Sequence, residues 1–230
     1  MAAFMAAVVT CNYLTDINQW LMLLSGHLVA TLSVFIASQI FNNSSLYDPF
    51  WSVAPIPIVI YLAIYPESGQ INLEKTLLIV LPVLFWAFRL TLNWLRDWKG
   101  LSDEDFRYVD LKKKPFSILI DLFGIHVYPT LQVNLSLLPL YYGLSISTNT
   151  ANVYLYLASI FTISAVVLET VADEQMRTFR RNNSNIGKTM KYGLWTRSRH
   201  PNYLGEILFW WGLIFMTISI ETDFWYLFVC

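Results

Sequence analysis

Near the end of the chain, residues 198–206 (SRHPNYLGE) crowd titratable and hydrogen-bonding groups against an apolar run, ILFWWGLIFMTISI. Pro201 suits the first position of a helix, where its missing N–H costs nothing. Arg199 and His200 then precede free N–H groups and a dipole that favour an anion. Asn202 and Glu206 are one turn apart, Tyr203 lies between them, and Gly205 leaves room for close backbone approach. A capped helix with an interfacial aromatic belt accounts for most of this pattern. It does not account for Glu206 inside an apolar run, where a carboxylate is expensive, so the stretch favours a binding role.

A second constellation lies upstream. Glu169, Asp173, Arg177 and Arg180 fall within roughly 80° of one another at about 100° per residue of α-helix. Two carboxylates one turn apart repel unless donors reach them, and arginines further along the face attract phosphate. Such a face suits a ligand with hydroxyls or an amino group at one end and phosphates at the other; ordinary interfacial charges on an emerging helix give the same pattern. Arg89, Asn93 and Arg96 share another face. Arg89 lies inside an apolar segment and needs an internal partner, for which Glu169 or Asp173 is the obvious candidate, unless it snorkels to the surface.

Asp121 and His126 are five residues apart and so do not share an α-helical face; each is a proton donor or a satisfied structural polar group. His27 reads as a packed histidine. In YDPFWSVAP (residues 47–55), Tyr47, Asp48 and the Phe50–Trp51 pair read as the mouth of a lipid-facing pocket or as an N-cap with interfacial aromatics. No P-loop, GxGxxG, HExxH, CxxC or serine-nucleophile motif occurs. Cys11 and Cys230 match no metal or redox spacing, so neither a metal site nor a disulfide framework is expected.

The elements that must carry these residues are membrane helices. Of the 230 residues, 56% are hydrophobic and 13% charged, and apolar runs of about 18 or more residues read as spans. Six are expected: 20–40, 49–66 (kinked or partly re-entrant at Pro55 and Pro57), 76–95, 116–145 (tilted or broken near Pro129), 151–168 and 203–220. Residues 223–230 start a seventh apolar stretch too short to cross. The fold class expected is an all-α polytopic transmembrane bundle, a single membrane domain over 1–230. Of the fifteen Lys and Arg, six lie in 96–114 and seven in 177–199. Two spans separate these loops, so both can lie on one side, the cytosolic one by the positive-inside rule. Their admixture of Asp and Glu argues against nucleic-acid binding.

Four separated motifs, NSSLYDPFWSVAP, FWAFRLTLNWLRDWKGLSDEDFRYVDL, LETVADEQMRTFRRN and GLWTRSRHPNYLGE, together resemble the DUF1295 branch of the steroid 5-alpha-reductase superfamily. That superfamily also includes isoprenylcysteine carboxyl methyltransferases. The resemblance covers roughly residues 45–215. It implies a helical bundle holding a cofactor in a cytosol-facing cavity, in the endoplasmic reticulum. It places Glu169, Asp173, Arg180, Asn202, Tyr203, Gly205 and Glu206 at NADPH. Together with the geometric readings above, the expected cofactor set is Arg89, Glu169, Asp173, Arg180, Arg199, His200, Asn202, Tyr203 and Glu206.

Two departures bear on activity. Where steroid reductases carry a catalytic Tyr, three residues before the third-helix Arg, this chain has Trp86, and an indole cannot protonate a carbonyl oxygen. Tyr47, Asp121 or His126 would have to substitute. The basic, aromatic tail that follows the superfamily's last helix is not found before Cys230. The expectation is an NADPH-dependent reductase of a lipid-soluble enone or activated alkene that enters from the membrane lipids. Two alternatives stay open: an S-adenosylmethionine-dependent methyltransferase of a membrane substrate, and a shortened, non-catalytic relative.

Overall fold

The structure, a computed structural model, describes residues 1–229; Cys230, the last residue of the expected seventh stretch, lies outside the described residues. Every regular element among them is helical. Helix α1 (Ala2–Tyr13) folds back on α2 (Gln19–Phe41), and a 3-10 turn, Ser44–Leu46, leads into α3 (Tyr47–Val53) and α4 (Pro55–Ile64). Then come α5 (Leu73–Asp97) and the short α6 (Phe106–Lys112). Next, α7 (Ser117–Leu119), a π-helical stretch Ile120–Val127, α8 (Tyr128–Leu140) and a second π-helical stretch Tyr141–Ile146 follow without a break. Helices α9 (Val153–Arg181) and α10 (Pro201–Ile220) and a 3-10 segment, Thr222–Val229, complete the order.

Among the described residues, six stretches are long and apolar enough to cross a membrane: Gln19–Phe41, Ser44–Ile64, Leu73–Asp97, Ser117–Ile146, Val153–Arg181 and Pro201–Ile220. This is an integral, multi-pass membrane protein. The second span is divided into α3 and α4, which meet at Ala54 just before Pro55, where a kink was expected. Pro55 sits at the first position of α4, and Ala54 before it keeps helical angles (φ −58°, ψ −36°), so the chain continues through its prolines. The fourth span passes Pro129 unbroken, because that proline stands in the first turn of α8, just past the π-helical stretch.

Asparagine starts the longest helices. The Asn18, Asn72 and Asn152 side chains accept from backbone N–H groups of Trp20 (2.9 Å), Lys75 (2.8 Å) and Leu155 (3.0 Å). These caps satisfy orphan donors without placing a charge at the apolar boundary, and each is worth about 1 kcal/mol. Helices α9 and α10 pack backbone to backbone: a Cβ added at Gly205 would stand 2.7 Å from Glu169 Cβ and 2.9 Å from the Ala165 carbonyl oxygen. The core holds Leu62, Val83, Trp86, Leu137 and Leu213, all fully buried. The ends of α5 and α9 meet, with Arg96 donating to Glu174 (2.5 Å) and Arg177 to Asp97 (3.3 Å). Both basic loops therefore leave the same end of the bundle.

Candidate functional site

Arg89 lies on α5 about two turns inside that end. Its guanidinium, 5% exposed, pairs with both Glu169 and Asp173. Asn93, one turn on, also donates to Asp173 Oδ2 (2.8 Å). The internal partner demanded by the sequence is thus found on α9, and Arg89 does not snorkel. Leaving such a guanidinium buried and unpaired would cost several kcal/mol. Arg177 extends the same line, donating to Asn93 Oδ1 (3.3 Å) and to Glu174 (2.7 Å). Glu174, which sequence reasoning passed over, bridges Arg96 and Arg177; the Arg177 pair is a sequence-visible i,i+3 spacing.

Glu206 is held from α5 and from its own helix. Trp86 Nε1 donates to Oε2 (3.0 Å) and Trp210 Nε1 to Oε1 (2.8 Å), and its carboxyl also meets that of Glu169. Trp86 is completely buried, stacked on Phe209 with ring centroids 4.7 Å apart. The Trp86 indole therefore fixes a carboxylate in place. Only the Trp210–Glu206 pair, one helical turn apart, was visible as spacing.

The loop 182–200 folds back on α9. Tyr192 packs edge-on to Phe179 (5.6 Å), Leu194 N–H donates to Gln175 (2.9 Å), and Trp195 Nε1 donates to the Ala172 carbonyl (3.0 Å). This return brings α10 alongside Glu169, starting at Pro201 as its sequence implies. His200 stacks on Tyr203 (5.1 Å), both rings exposed. Arg180 and Arg199 are exposed too, and no hydrogen bond or ion pair occupies either guanidinium among the described residues. Among the buried side-chain atoms left without a hydrogen-bond partner in the described residues are three at this site: Asn202 Oδ1 and Glu169 Oε2, both acceptors, and Arg89 Nε, a donor.

Tyr47, Asp121 and His126 come together elsewhere. The π-helical stretch corrects the expectation that Asp121 and His126 cannot share a face. One π turn is about five residues, so His126 Nδ1 lies 3.0 Å from the Asp121 carbonyl and 3.2 Å from Oδ1. Asp121 Oδ2 accepts from Gln39 (2.7 Å) and Ser44 (3.0 Å), and Ser38 Oγ lies 3.1 Å from His126 Nε2. The Tyr47 ring packs on His126 (5.1 Å) and its hydroxyl meets Thr130 Oγ1 (2.9 Å). His27 pairs with Asn134. No hydrogen bond joins this network to the Arg89 site among the described residues. Asp48 of the expected pocket mouth instead accepts from Tyr108 (2.6 Å), which anchors α6 to α3.

Outside the spans, the Arg107 guanidinium bonded to Asp105 holds that carboxyl below its usual range. Burial, reinforced by the charge of Asp48, pushes the Tyr108 hydroxyl up.

Residues 34–230 match the family described as "Protein of unknown function (DUF1295)". An uncharacterized protein of Schizosaccharomyces pombe is 28% identical over 207 residues, an alignment covering 79% of this chain and 60% of the relative. The chain thus spans about 60% of the length of that curated relative. No solved structure matches it.

Proposed function

The chain belongs to the DUF1295 family, and from that premise and the site around Arg89 we propose that it is a membrane-embedded, NADPH-dependent reductase of a lipid-soluble enone or similarly activated alkene. The observation that carries this reading is the buried cluster in which Arg89 grips Glu169 and Asp173, beside the unmatched Asn202 Oδ1 and two open arginines. Arg180 and Arg199 would hold phosphates. Asn202, Glu169 and Glu206 would take hydroxyl and amide N–H groups. Arg180 lies seven residues beyond Asp173, about 10 Å along the helix, a separation suited to a ligand whose charge and hydroxyls sit at different ends.

When bound, NADPH supplies a hydride for the electrophilic carbon of the substrate. The chain's own residues orient the cofactor and exclude water. Trp86, Phe209 and Trp210 form a packed aromatic wall behind Glu206. Trp86 does not deliver the accompanying proton, since its single N–H is committed to Glu206. The two basic loops would face the cytosol, and the endoplasmic reticulum is the membrane this reading assigns.

Thermal unfolding of detergent-purified protein with NADPH, NADH or S-adenosylmethionine tests it. Ligand at about 100 times its dissociation constant adds roughly 2.7 kcal/mol. NADPH should raise Tm, and Arg180→Ala and Arg199→Ala should abolish the rise while leaving the ligand-free Tm unchanged. A rise with S-adenosylmethionine alone would transfer the site to methyl transfer. No response in cooperatively melting protein would remove the reductase reading.

A further inference from the structure

A second concavity borders this site, sharing Asn93 with it, between α3, α5 and residues 98–107; it encloses about 420 Å³. Three indoles line it, Trp51, Trp94 and Trp98, the last two stacked at 5.2 Å. Four carboxylates, Asp48, Asp97, Asp103 and Asp105, stand around them against one lining cation, Arg107. Arg107 is committed to Asp105 by two hydrogen bonds, of 2.9 and 2.8 Å. Arg177 and Lys99 reach Asp97 (3.3 Å) and Asp103 (3.8 Å) at carboxylates that are 74% and 53% exposed. Asp97, Asp103 and Asp105 thus each have a cation partner, whereas Asp48 is held by the neutral Tyr108 hydroxyl, so the lining keeps an excess of negative charge.

The geometry sets the class of ligand. The carboxylates are spread around the wall rather than converged: among the described residues no group of three or more His, Cys, Asp or Glu is placed to hold a metal ion. A compact divalent cation, which needs several oxygens at about 2.0–2.6 Å, is therefore poorly served. An anion is repelled by the aspartates. A diffuse cation is served twice, by the negative faces of the indoles and by the surrounding carboxylates. We propose that this cavity binds an organic cation of the quaternary-ammonium class. Its lining runs from Leu90 to Trp98, at the end of the third span, so a lipid headgroup and a free cation both have access. This inference is independent of the reductase reading and survives its failure.

The experiment uses full-length protein in nanodiscs of phosphatidylglycerol, with tryptophan fluorescence and thermal unfolding as readouts at matched ionic strength. Tetramethylammonium, choline and 3,3-dimethylbutan-1-ol, the uncharged analogue of choline, are the probes. The two cations should give a saturable rise in Tm and the alcohol none. The surface variants Trp98→Leu and Asp103→Asn together should weaken the response about tenfold. In phosphatidylcholine nanodiscs, a Tm already raised and deaf to free choline identifies the lipid headgroup as the source; a persisting response to choline identifies a free cation. Equal effects of choline and the alcohol, a larger response to Ca²⁺ or Mg²⁺, or silence from protein that melts cooperatively would each overturn the proposal.

Discussion

The indole nitrogen of Trp86 donates to Glu206 Oε2 across 3.0 Å, joining the deepest aromatic residue of the third span to the carboxylate in the first turns of α10. The bond explains two residues together. Glu206 tolerates its apolar surroundings because two indole N–H groups reach it, and Trp86 stays buried because its one donor is satisfied.

Trp86→Phe removes that donor and leaves a carboxylate oxygen short of one partner. The expected cost is about 1–3 kcal/mol, measured by unfolding in mixed micelles. Trp210→Phe, which removes the less buried donor, should cost less. A Trp86→Phe protein with wild-type stability would show that the bond holds nothing.

Arg89→Met should be the most damaging single change at the site. It leaves Glu169 and Asp173 facing each other with the guanidinium gone, a loss of about 3–5 kcal/mol. Adding Glu169→Gln and Asp173→Asn removes the stranded charges and should recover much of it. A triple variant no more stable than Arg89→Met would show that the guanidinium acts through packing rather than charge.

The close approach of α10 to α9 makes Gly205→Ala a test of the site's frame. The new Cβ meets Glu169 and the Ala165 backbone, so α10 must shift at a cost of about 1–3 kcal/mol, and any ligand held by Glu169 and Glu206 should bind more weakly. Gly124→Ala, whose Cβ would meet only Ile120 at 3.9 Å, is the control and should be near neutral. Equal Tm values for the two variants would contradict the packing described.

Acid should loosen the segment 98–108 before the bundle. Hydrogen bonds from Arg107 depress the Asp105 carboxyl in the folded state. A depressed folded value adds stability that is fully present above the ordinary aspartate value of about 3.9 and is lost as pH falls through the folded value. Hydrogen exchange in this segment should therefore accelerate only below about pH 3.9, and Arg107→Gln should move the onset up toward that value. An onset unchanged by Arg107→Gln would rule out the pairing as its cause.

Much of this was legible from residue order, because the bilayer imposes rules that act locally. Long uncharged apolar runs become helices, since only a helix satisfies its backbone in lipid within a single segment. Pro201 marks the start of α10 because a proline suits the first position of a helix, where its missing N–H costs nothing. The charge of Arg89 within an apolar span demanded a carboxylate from another helix, and α9 offered the candidates. Periodicity, however, says which residues share a face, not what that face meets. The indoles on Glu206, the folding of Trp195 and Tyr192 onto α9, and the cavity between α3 and α5 each join residues far apart in the chain. The Asp121–His126 pair escaped for a different reason: an α-helical period of 3.6 separates residues that a π turn brings together, and nothing local in the sequence announces the change of period. What the sequence alone determined is six spans, the proline start of α10 and the charges needing partners. The tertiary structure decided which partners they found, because only packing sets which helices are near enough for buried groups to be satisfied.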